Sequence, residues 1–388
     1  MPASFCQVLK TKFGVSLDDF TNAMMGDVAS TQKILTILQN FALENLDNLS
    51  RSPGATINLG NIVFDGQTSI TDSFDVFNAN STQSTIFQKN TVTFLNDLNN
   101  NVNGFDNSND VINGQGGDDI IQGLGGNDLL RGGTGNDSLF GGARHEFPED
   151  SDSLPGNDSL VGGVGDDYLN VNSSLGNNLL FGGDGNDSFD LSYSSGKNTL
   201  NGGVGDDTLN AESSSGNNLL SGGDGNDFLS ISGYLFYNAS TIDYRSSGNN
   251  TLNGGAGNDT LNGSGSYVNK LLSGGDGNDY LTGGNGIDTF AFNSSHEGVD
   301  SLYDFNATDD LIQVSADGFG GGLSTPSLKA DQFTIGTSAT TSKERFIYND
   351  ITGALFFDQD GSASGFTQVK FAQLSAGLSL TQNNFVVV

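Results

Sequence analysis

A nine-residue word, GGxGxDxUx in which U is a large apolar residue, recurs from about Gly114 to Ala291 and constrains the fold more than any other feature. Clean copies read GGTGNDSLF at 132–140 and GGDGNDYLT at 274–282. The glycines permit the positive φ angles of a tight turn and let neighbouring backbones approach closely. The Asp supplies a hard oxygen ligand beside turn carbonyls, which suits calcium. The xUx triplet is a short strand that sends one side chain inward, so the word predicts stacked coils of loops and strands.

The apolar position of the word persists through every repeat. With Asp or its replacement at position 6 and the apolar residue at position 8, each half-coil contributes one inward side chain. This pattern predicts an all-β parallel β-roll whose core is thin, with one apolar residue per half-coil. The inward residues are Ile112, Ile121, Leu130, Leu139, Leu160, Leu169, Leu180, Phe189, Leu200, Leu209, Leu220, Leu229, Leu252, Leu261, Leu272, Leu281 and Phe290.

Two nonapeptides make one coil, so alternate loops fall on opposite edges of the roll. One edge, named the aspartate edge, carries Asp at position 6 without a gap: Asp119, Asp137, Asp167, Asp187, Asp207, Asp227, Asp259 and Asp279. The other, named the mixed edge, carries Asp110, Asp128, Asp158, Asn178, Asn198, Asn218, Asn250, Lys270 and Asp288. Most of the altered half-coils contain two extra residues, as in LSYSSGKNTLN, and two longer insertions near 143–152 and 231–244 also fall on the mixed edge.

Stacked carboxylates on one edge repel each other. At the spacing of parallel strands, about 4.8 Å, each neighbouring pair costs roughly 1 kcal/mol even at the dielectric constant of water. Divalent cations between successive turns would cancel this repulsion, and ligands that are all oxygen favour Ca²⁺. The eight loops of the aspartate edge give at most seven sites between turns, and the first three loops of the mixed edge add about two. We therefore expect the roll to be largely unfolded without calcium.

Two alternative interpretations of these positions stay open. In the first, the Asp residues are only turn formers, although their constant register favours ion binding. The Asn positions are interpreted as a hydrogen-bonded ladder that replaces metal, or else as a ligand or assembly edge.

The charge balance indicates which partners suit the chain. It has 14 Lys+Arg against 46 Asp+Glu and a formal net charge of −32, so cations are natural partners and nucleic acid is not. Cys6 is the single cysteine, which leaves no intramolecular disulfide. No segment approaches the ~18 consecutive apolar residues of a membrane span, and the N-terminal residues lack the apolar run of a cleaved signal peptide.

Three regions separate by pattern. Residues 1–104 are not repetitive; they include a predicted amphipathic helix at 31–50 and strand-like runs from Thr56 onward, and are interpreted as a cap or assembly module. Residues 105–291 form the predicted roll. Residues 292–388 are predicted to form a β-rich cap, in which RFIYND-ITG-ALFF is a hairpin with Gly353 in its turn.

The array resembles the RTX (repeats-in-toxin), or hemolysin-type, calcium-binding proteins. The resemblance covers roughly Asn109 to the C-terminus, where DTFAFNSSHEGVDSLYDFNATDDLIQV is similar to the segment that closes such rolls. It implies that Asp at position 6 binds calcium through its side chain. It also implies that glycines contribute carbonyl oxygens: Gly132, Gly162, Gly182, Gly202, Gly222, Gly254 and Gly274.

The same resemblance implies export by type I secretion machinery, which reads an uncleaved C-terminal signal. Some members end in an acidic residue followed by apolar residues, whereas here Asn384 precedes the terminal FVVV. The Asn half-coils also depart from the family pattern.

Members of that family often carry an enzyme ahead of the roll, and the sequence does not favour one here. His145-Glu146 has no second His at metalloprotease spacing, and Ala363 stands at the serine position of GSASG. Asp300, Asp304, Asp309 and Asp310 are interpreted as calcium or turn residues rather than as a catalytic pair.

We therefore expect a secreted, extracellular or surface protein that binds several Ca²⁺ ions and has a structural or adhesive role. It would self-assemble into filaments or a layer, or bind a cell-surface glycan. The alternatives are a secreted enzyme acting on polysaccharide and a toxin-like protein.

Overall fold

The computed structural model describes residues 62–64, 68–70, 92–95, 97–105, 108–142, 156–233 and 246–388. The helix predicted at 31–50 lies outside the described residues, as do Cys6, His145 and most of both long insertions. Strands β1 (Ile62–Phe64) and β2 (Thr68–Ile70) pair antiparallel with each other. Within the described residues, no helix is long and apolar enough to span a membrane.

The first large sheet, named the long-strand sheet, has twelve strands, and its strands between residues 111 and 276 span six or seven residues each. All neighbouring pairs in it are parallel. Its strands are β3 (Val92–Phe94), β5 (Val111–Gly116), β7 (Leu129–Thr134), β9 (Ser159–Val164), β11 (Leu179–Asp184), β13 (Thr199–Val204), β15 (Leu219–Asp224), β17 (Asn250–Ala256), β19 (Lys270–Asp276), β21 (Thr289–Phe292), β23 (Leu311–Val314) and β28 (Phe385–Val387).

The second, named the short-strand sheet, is built in the repeats from the xUx triplets. Its strands, in sheet order, are β4 (Asn101–Asn103), β6 (Ile120–Gln122), β8 (Ser138–Phe140), β10 (Tyr168–Asn170), β12 (Ser188–Asp190), β14 (Thr208–Asn210), β16 (Phe228–Ser230), β18 (Thr260–Asn262), β20 (Tyr280–Thr282), β22 (Asp300–Leu302), β27 (Val369–Gln373), β26 (Ala354–Phe357), β25 (Phe346–Tyr348) and β24 (Phe333–Ile335).

The chain alternates between the two sheets, so each coil comprises one strand from each sheet and two loops. Equivalent residues stack without a register shift, as Leu180, Leu200 and Leu220 do across β11, β13 and β15. The all-β parallel roll predicted from the nonapeptide is confirmed. Its sheets extend beyond the repeats, from β3 near residue 92 to β28 near the C-terminus.

The predicted inward column forms the core of the roll. Every one of its residues is at most 2% exposed. The expectation of one apolar residue per half-coil is wrong for the long half-coils, which bury a second side chain two residues further on: Val171, Leu191, Ala211 and Ile231. The extra residues therefore widen the core as well as lengthening the loop.

Residues 292–388 add strands to both sheets and fill the end of the roll. The predicted hairpin is confirmed, because β25 and β26 pair antiparallel and Gly353 adopts a φ of 78° in the turn between them. Phe319, at the end of the single-turn helix α1 (Ala316–Phe319), packs edge-on against Phe357 and Phe371. Two 3-10 segments, Ala330–Gln332 and Gln382–Asn384, precede strands β24 and β28.

Glycine is required where successive loops stack. Gly203 has a φ of 123°, and a Cβ built on it would lie 2.1 Å from the carbonyl oxygen of Gly183 in the preceding coil. No side chain fits such a contact. The second glycine of the word therefore sets how closely successive coils approach.

Candidate metal centre

The position-6 residues of the aspartate edge form a continuous hydrogen-bonded ladder. The N–H of Asp187 donates to Oδ1 of Asp207 at 2.7 Å, and the N–H of Asp207 donates to Oδ1 of Asp227 at 2.8 Å. The same bond recurs along the edge between Asn100 and Asp300. One carboxylate oxygen per loop thus holds neighbouring coils in register.

The second oxygen of most ladder carboxylates has no hydrogen-bond donor. These Oδ2 atoms are buried, and a buried acceptor without a donor is costly. Ten of the twelve predicted Asp ligands show this arrangement: Asp119, Asp128, Asp137, Asp167, Asp187, Asp207, Asp227, Asp259, Asp279 and Asp288.

The first glycine of each word faces this oxygen. A Cβ built on Gly202 would lie 2.1 Å from Asp207 Oδ2 and 2.5 Å from the carbonyl oxygen of Gly222 in the next coil. Two acceptors thus converge on a space that any side chain would fill. In all seven glycines that the resemblance implied, the built Cβ lies within 2.2 Å of the Oδ2 atom of the same loop: Gly132, Gly162, Gly182, Gly202, Gly222, Gly254 and Gly274.

Burial makes the ionised ladder unfavourable unless a cation is present. Loss of hydration raises the pKa of Asp207 to about 8; the hydrogen bond from Asp187 opposes this shift, and the charges of Asp187 and Asp227 add to it. Burial likewise raises the pKa of Asp167 to about 8 and that of Asp259 to about 7. A positive charge between the loops would reverse this penalty.

These observations fit calcium. In the described part of the chain, no three His, Cys, Asp or Glu side chains form a group that could hold a metal. The oxygens that do converge are one carboxylate and one main-chain carbonyl per turn, which are the hard ligands that Ca²⁺ prefers. The ladder carboxylates and the glycine carbonyls would coordinate bound calcium, and the ion would supply positive charge beside the buried carboxylates.

The mixed edge is not uniform. Asp110 differs from the other Asp residues because its carboxylate accepts hydrogen bonds from the Phe105 N–H at 2.7 Å and the Ser108 hydroxyl at 2.9 Å. Asp158 lies in the position-6 ladder of the mixed edge, where its Oδ1 accepts the N–H of Asp128, and burial raises its pKa to about 7. Asn178, Asn198, Asn218 and Asn250 carry an amide nitrogen in place of the second oxygen, and Lys270 carries an ammonium group and no side-chain oxygen. The structure thus separates the Asp positions from the Asn and Lys positions by their hydrogen-bond chemistry.

The sequence prediction missed a second ladder at position 5. The N–H of Asn186 donates to Asp166 Oδ1 at 2.8 Å, and the N–H of Asp206 donates to Asn186 Oδ1 at 2.8 Å. Its direction is opposite to that of the position-6 ladder. The signal was present in the sequence, because every position 5 of the aspartate edge is Asp or Asn: Asp118, Asn136, Asp166, Asn186, Asp206, Asn226, Asn258 and Asn278.

The position-6 ladders also continue past the last nonapeptide. The Oδ1 atoms of Asp300 and Asp310 accept the N–H groups of Asp279 and Asp288, at 3.1 and 2.9 Å. Asp304 accepts the N–H groups of Gly283 and Gly284. The spacings of 21 and 22 residues that separate these pairs conceal them from a search for the nonapeptide period.

Comparison with known families agrees with this geometry. The RTX calcium-binding nonapeptide repeat, in four copies, matches residues 106–139, 153–173, 170–192, 193–229, 244–266 and 271–290. No curated protein matches the chain significantly. The matched segments contain the loops in which the Oδ2 atoms lack donors.

Proposed function

Because this chain is an RTX hemolysin-type calcium-binding β-roll protein, we propose that it is secreted and that calcium assembles it into a structural or adhesive element outside the cell. The observation that carries the proposal is the row of buried carboxylate oxygens without donors along the aspartate edge. Outside the cell, calcium is available to occupy such a row.

The ladder residues would act by holding charge in register. At ~4.8 Å spacing, neighbouring carboxylates repel by about 3 kcal/mol at an effective dielectric constant near 20. Asp187, Asp207 and Asp227 keep this spacing because their Oδ1 atoms are fixed by main-chain N–H groups. Calcium between the turns would convert a repulsive edge into a cross-linked one, and the roll would stiffen along its length.

Exposed aromatic side chains on the short-strand sheet support an adhesive role. Phe228 and Tyr280 occupy one column of the sheet two coils apart and are 41% and 42% exposed. Tyr303, which is 66% exposed, lies with its ring centroid 5.5 Å from that of Tyr280. Aromatic faces of this kind suit the apolar faces of sugars, so a cell-surface glycan is the proposed partner.

Terminal strands of the sheets support self-assembly. Among the described strands, β3 bonds only to β5 and β4 only to β6, and terminal strands of a sheet are the ones that another strand can extend. Contact of this edge with a different surface of a second copy would generate a filament. The proposal includes export by type I secretion machinery and no catalytic activity.

A calcium titration from a chelated start tests this proposal. Far-UV circular dichroism is expected to show a cooperative gain of β signal that magnesium at the same concentration does not reproduce, because Mg²⁺ demands a tighter octahedral site. Negative-stain microscopy of the same samples would show filaments or layers if the role is structural and separate particles if it is adhesive. A β signal that calcium leaves unchanged would overturn the proposal.

A further inference from the structure

On both edges of the roll, an Asp or Asn at position 6 accepts a main-chain N–H through its Oδ1 atom. The two edges differ in the second terminal atom of that side chain. On the mixed edge the N–H of Asn178 donates to Asn198 Oδ1 at 2.8 Å, as an Asp of the aspartate edge donates to the next Asp. The second atom of Asn is a donor, whereas that of Asp is an acceptor. The ladder geometry is therefore the same, but the requirement for a cation is not.

The Asn nitrogens are hydrogen-bonded to the oxygens around them. Asn178 Nδ2 donates to the Ser174 hydroxyl at 3.0 Å, to Asn198 Oδ1 at 3.0 Å and towards the Gly176 carbonyl at 3.3 Å. Each other Asn of the edge likewise donates to the carbonyl two residues before it: Asn198 to Gly196, Asn218 to Gly216 and Asn250 to Gly248. None of these residues carries a charge, so the stack has no repulsion to cancel.

Lys270 completes this edge with a charge of its own. Its ammonium donates to the carbonyls of Val268 and Asn285 and lies 3.1 Å from Asp288 Oδ1, with both side chains fully buried. Three acceptors match the three hydrogens of an ammonium group. The group thus stands beside an Asp of the ladder and two loop carbonyls, the kinds of oxygen that converge on the aspartate edge.

The sequence also makes room for this lysine. A Cβ built on Gly263 would lie 2.7 Å from Cδ and 2.8 Å from Cε of Lys270. In the other long half-coils the equivalent position holds Val171, Leu191, Ala211 or Ile231, all buried. The aliphatic stem of Lys270 therefore takes the space of the second core residue.

We propose that the mixed edge from Asn178 to Lys270 closes without calcium, with side-chain nitrogens in place of the ions, so that calcium is required only on the aspartate edge of these coils. The inference rests on the proposed calcium function of the aspartate edge. It changes the expectation that the roll is largely unfolded without calcium. The coils from Asn178 to Lys270 would stay in register along the mixed edge even in the metal-free protein. Calcium then closes a half-formed roll.

Hydrogen exchange of matched amides tests the inference. The amides of Asn178 and Asn218 and those of Asp187 and Asp207 donate equivalent ladder bonds on opposite edges. In chelator, we expect the exchange rates of the two Asn amides to be lower than those of the two Asp amides by at least about tenfold. In calcium, all four amides should be protected. Equal exchange on both edges in chelator overturns the inference. Failure of calcium to protect the Asp amides overturns the proposed function instead.

Lys270→Asp adds a test that a purely structural role of Lys270 would not pass. The variant restores the Asp of the repeat, so we expect it to lose protection of residues 263–288 in chelator, to regain it in calcium, and to bind one more Ca²⁺ in a calorimetric titration. Lys197→Asp, an identical charge change at an exposed residue of the same edge, should show neither effect. A Lys270→Asp protein that calcium does not restore, or one unchanged in chelator, contradicts the inference.

Discussion

Asp207→Asn should stabilise the protein without calcium and weaken it with calcium. Asn keeps the Oδ1 atom that accepts the N–H of Asp187 at 2.7 Å, so the ladder bond survives. The change replaces only Oδ2, the buried atom that lacks a donor and lies near the Gly222 carbonyl. Without calcium an amide nitrogen suits that position better than a carboxylate oxygen, whereas with calcium a ligand is lost.

The size of the effect follows from the ladder. Burial, opposed by the hydrogen bond from Asp187 and reinforced by the charges of Asp187 and Asp227, raises the pKa of Asp207 from 3.8 to about 8. Because its pKa is raised in the folded state, the protonated Asp207 carboxyl contributes stability that is fully present below pH 3.8. That contribution is lost as the pH rises towards 8. Each neighbouring pair repels by at most about 3 kcal/mol, and solvent screening reduces the net gain to about 1–3 kcal/mol at pH 8. At pH 4 the gain should vanish.

Far-UV circular dichroism in calcium-free buffer from pH 4 to pH 9 gives the first readout. The pH at which half the β signal is lost should be higher for Asp207→Asn than for the unaltered protein. At pH 8, the calcium concentration for half-maximal signal should be at least about threefold higher. Asp350→Asn, the same charge change at an exposed residue in the turn between β25 and β26, is the control and should move neither midpoint appreciably. A lower pH midpoint for Asp207→Asn, or an unchanged calcium midpoint, refutes the reasoning.

Three further predictions concern protons, the space beside the ligands and the core. Calcium binding should release protons and should weaken from pH 8 to pH 5, because burial raises the pKa of Asp167 to about 8 and that of Asp187 to about 7. Calorimetry in two buffers of different ionisation enthalpy measures the number of protons released, and a value of zero would contradict the prediction. Gly202→Ala should raise the calcium midpoint, because its methyl group would lie 2.1 Å from Asp207 Oδ2, whereas Gly142→Ala, with its nearest neighbour 4.0 Å away, should not. Leu220→Ala should cost about 2–5 kcal/mol of unfolding free energy in saturating calcium, measured by urea denaturation, since Leu220 is fully buried; the exposed Val204→Ala is the control, and equal losses would show the core assignment to be wrong.

Much of the roll could be predicted because each nonapeptide corresponds to one loop and one strand of a coil. A constant apolar position fixes which side chains point inward, and every residue from Ile112 to Phe290 in that column is buried. The same register places the Asp positions in the loops between the two sheets. Their role as ligands stays a prediction.

What the sequence did not reveal lies where the period changes. Val171 and Ile231 are buried because two extra residues continue the inward alternation of the strand, which a nine-residue register does not count. Asp300 and Asp310 extend the ladders at spacings of 21 and 22 residues, outside the repeat. The burial of Lys270 depends on Gly263, which lies in the same long half-coil and leaves open the space that a second core residue fills in the other long half-coils.

The most direct test of the central claim is anomalous X-ray diffraction from crystals grown in calcium, measured at a long wavelength. Calcium peaks are expected between successive turns of the aspartate edge, next to the Oδ2 atoms of residues such as Asp187, Asp207 and Asp227. An aspartate edge without such peaks at millimolar calcium would contradict the claim that these carboxylates are the calcium ligands of the roll.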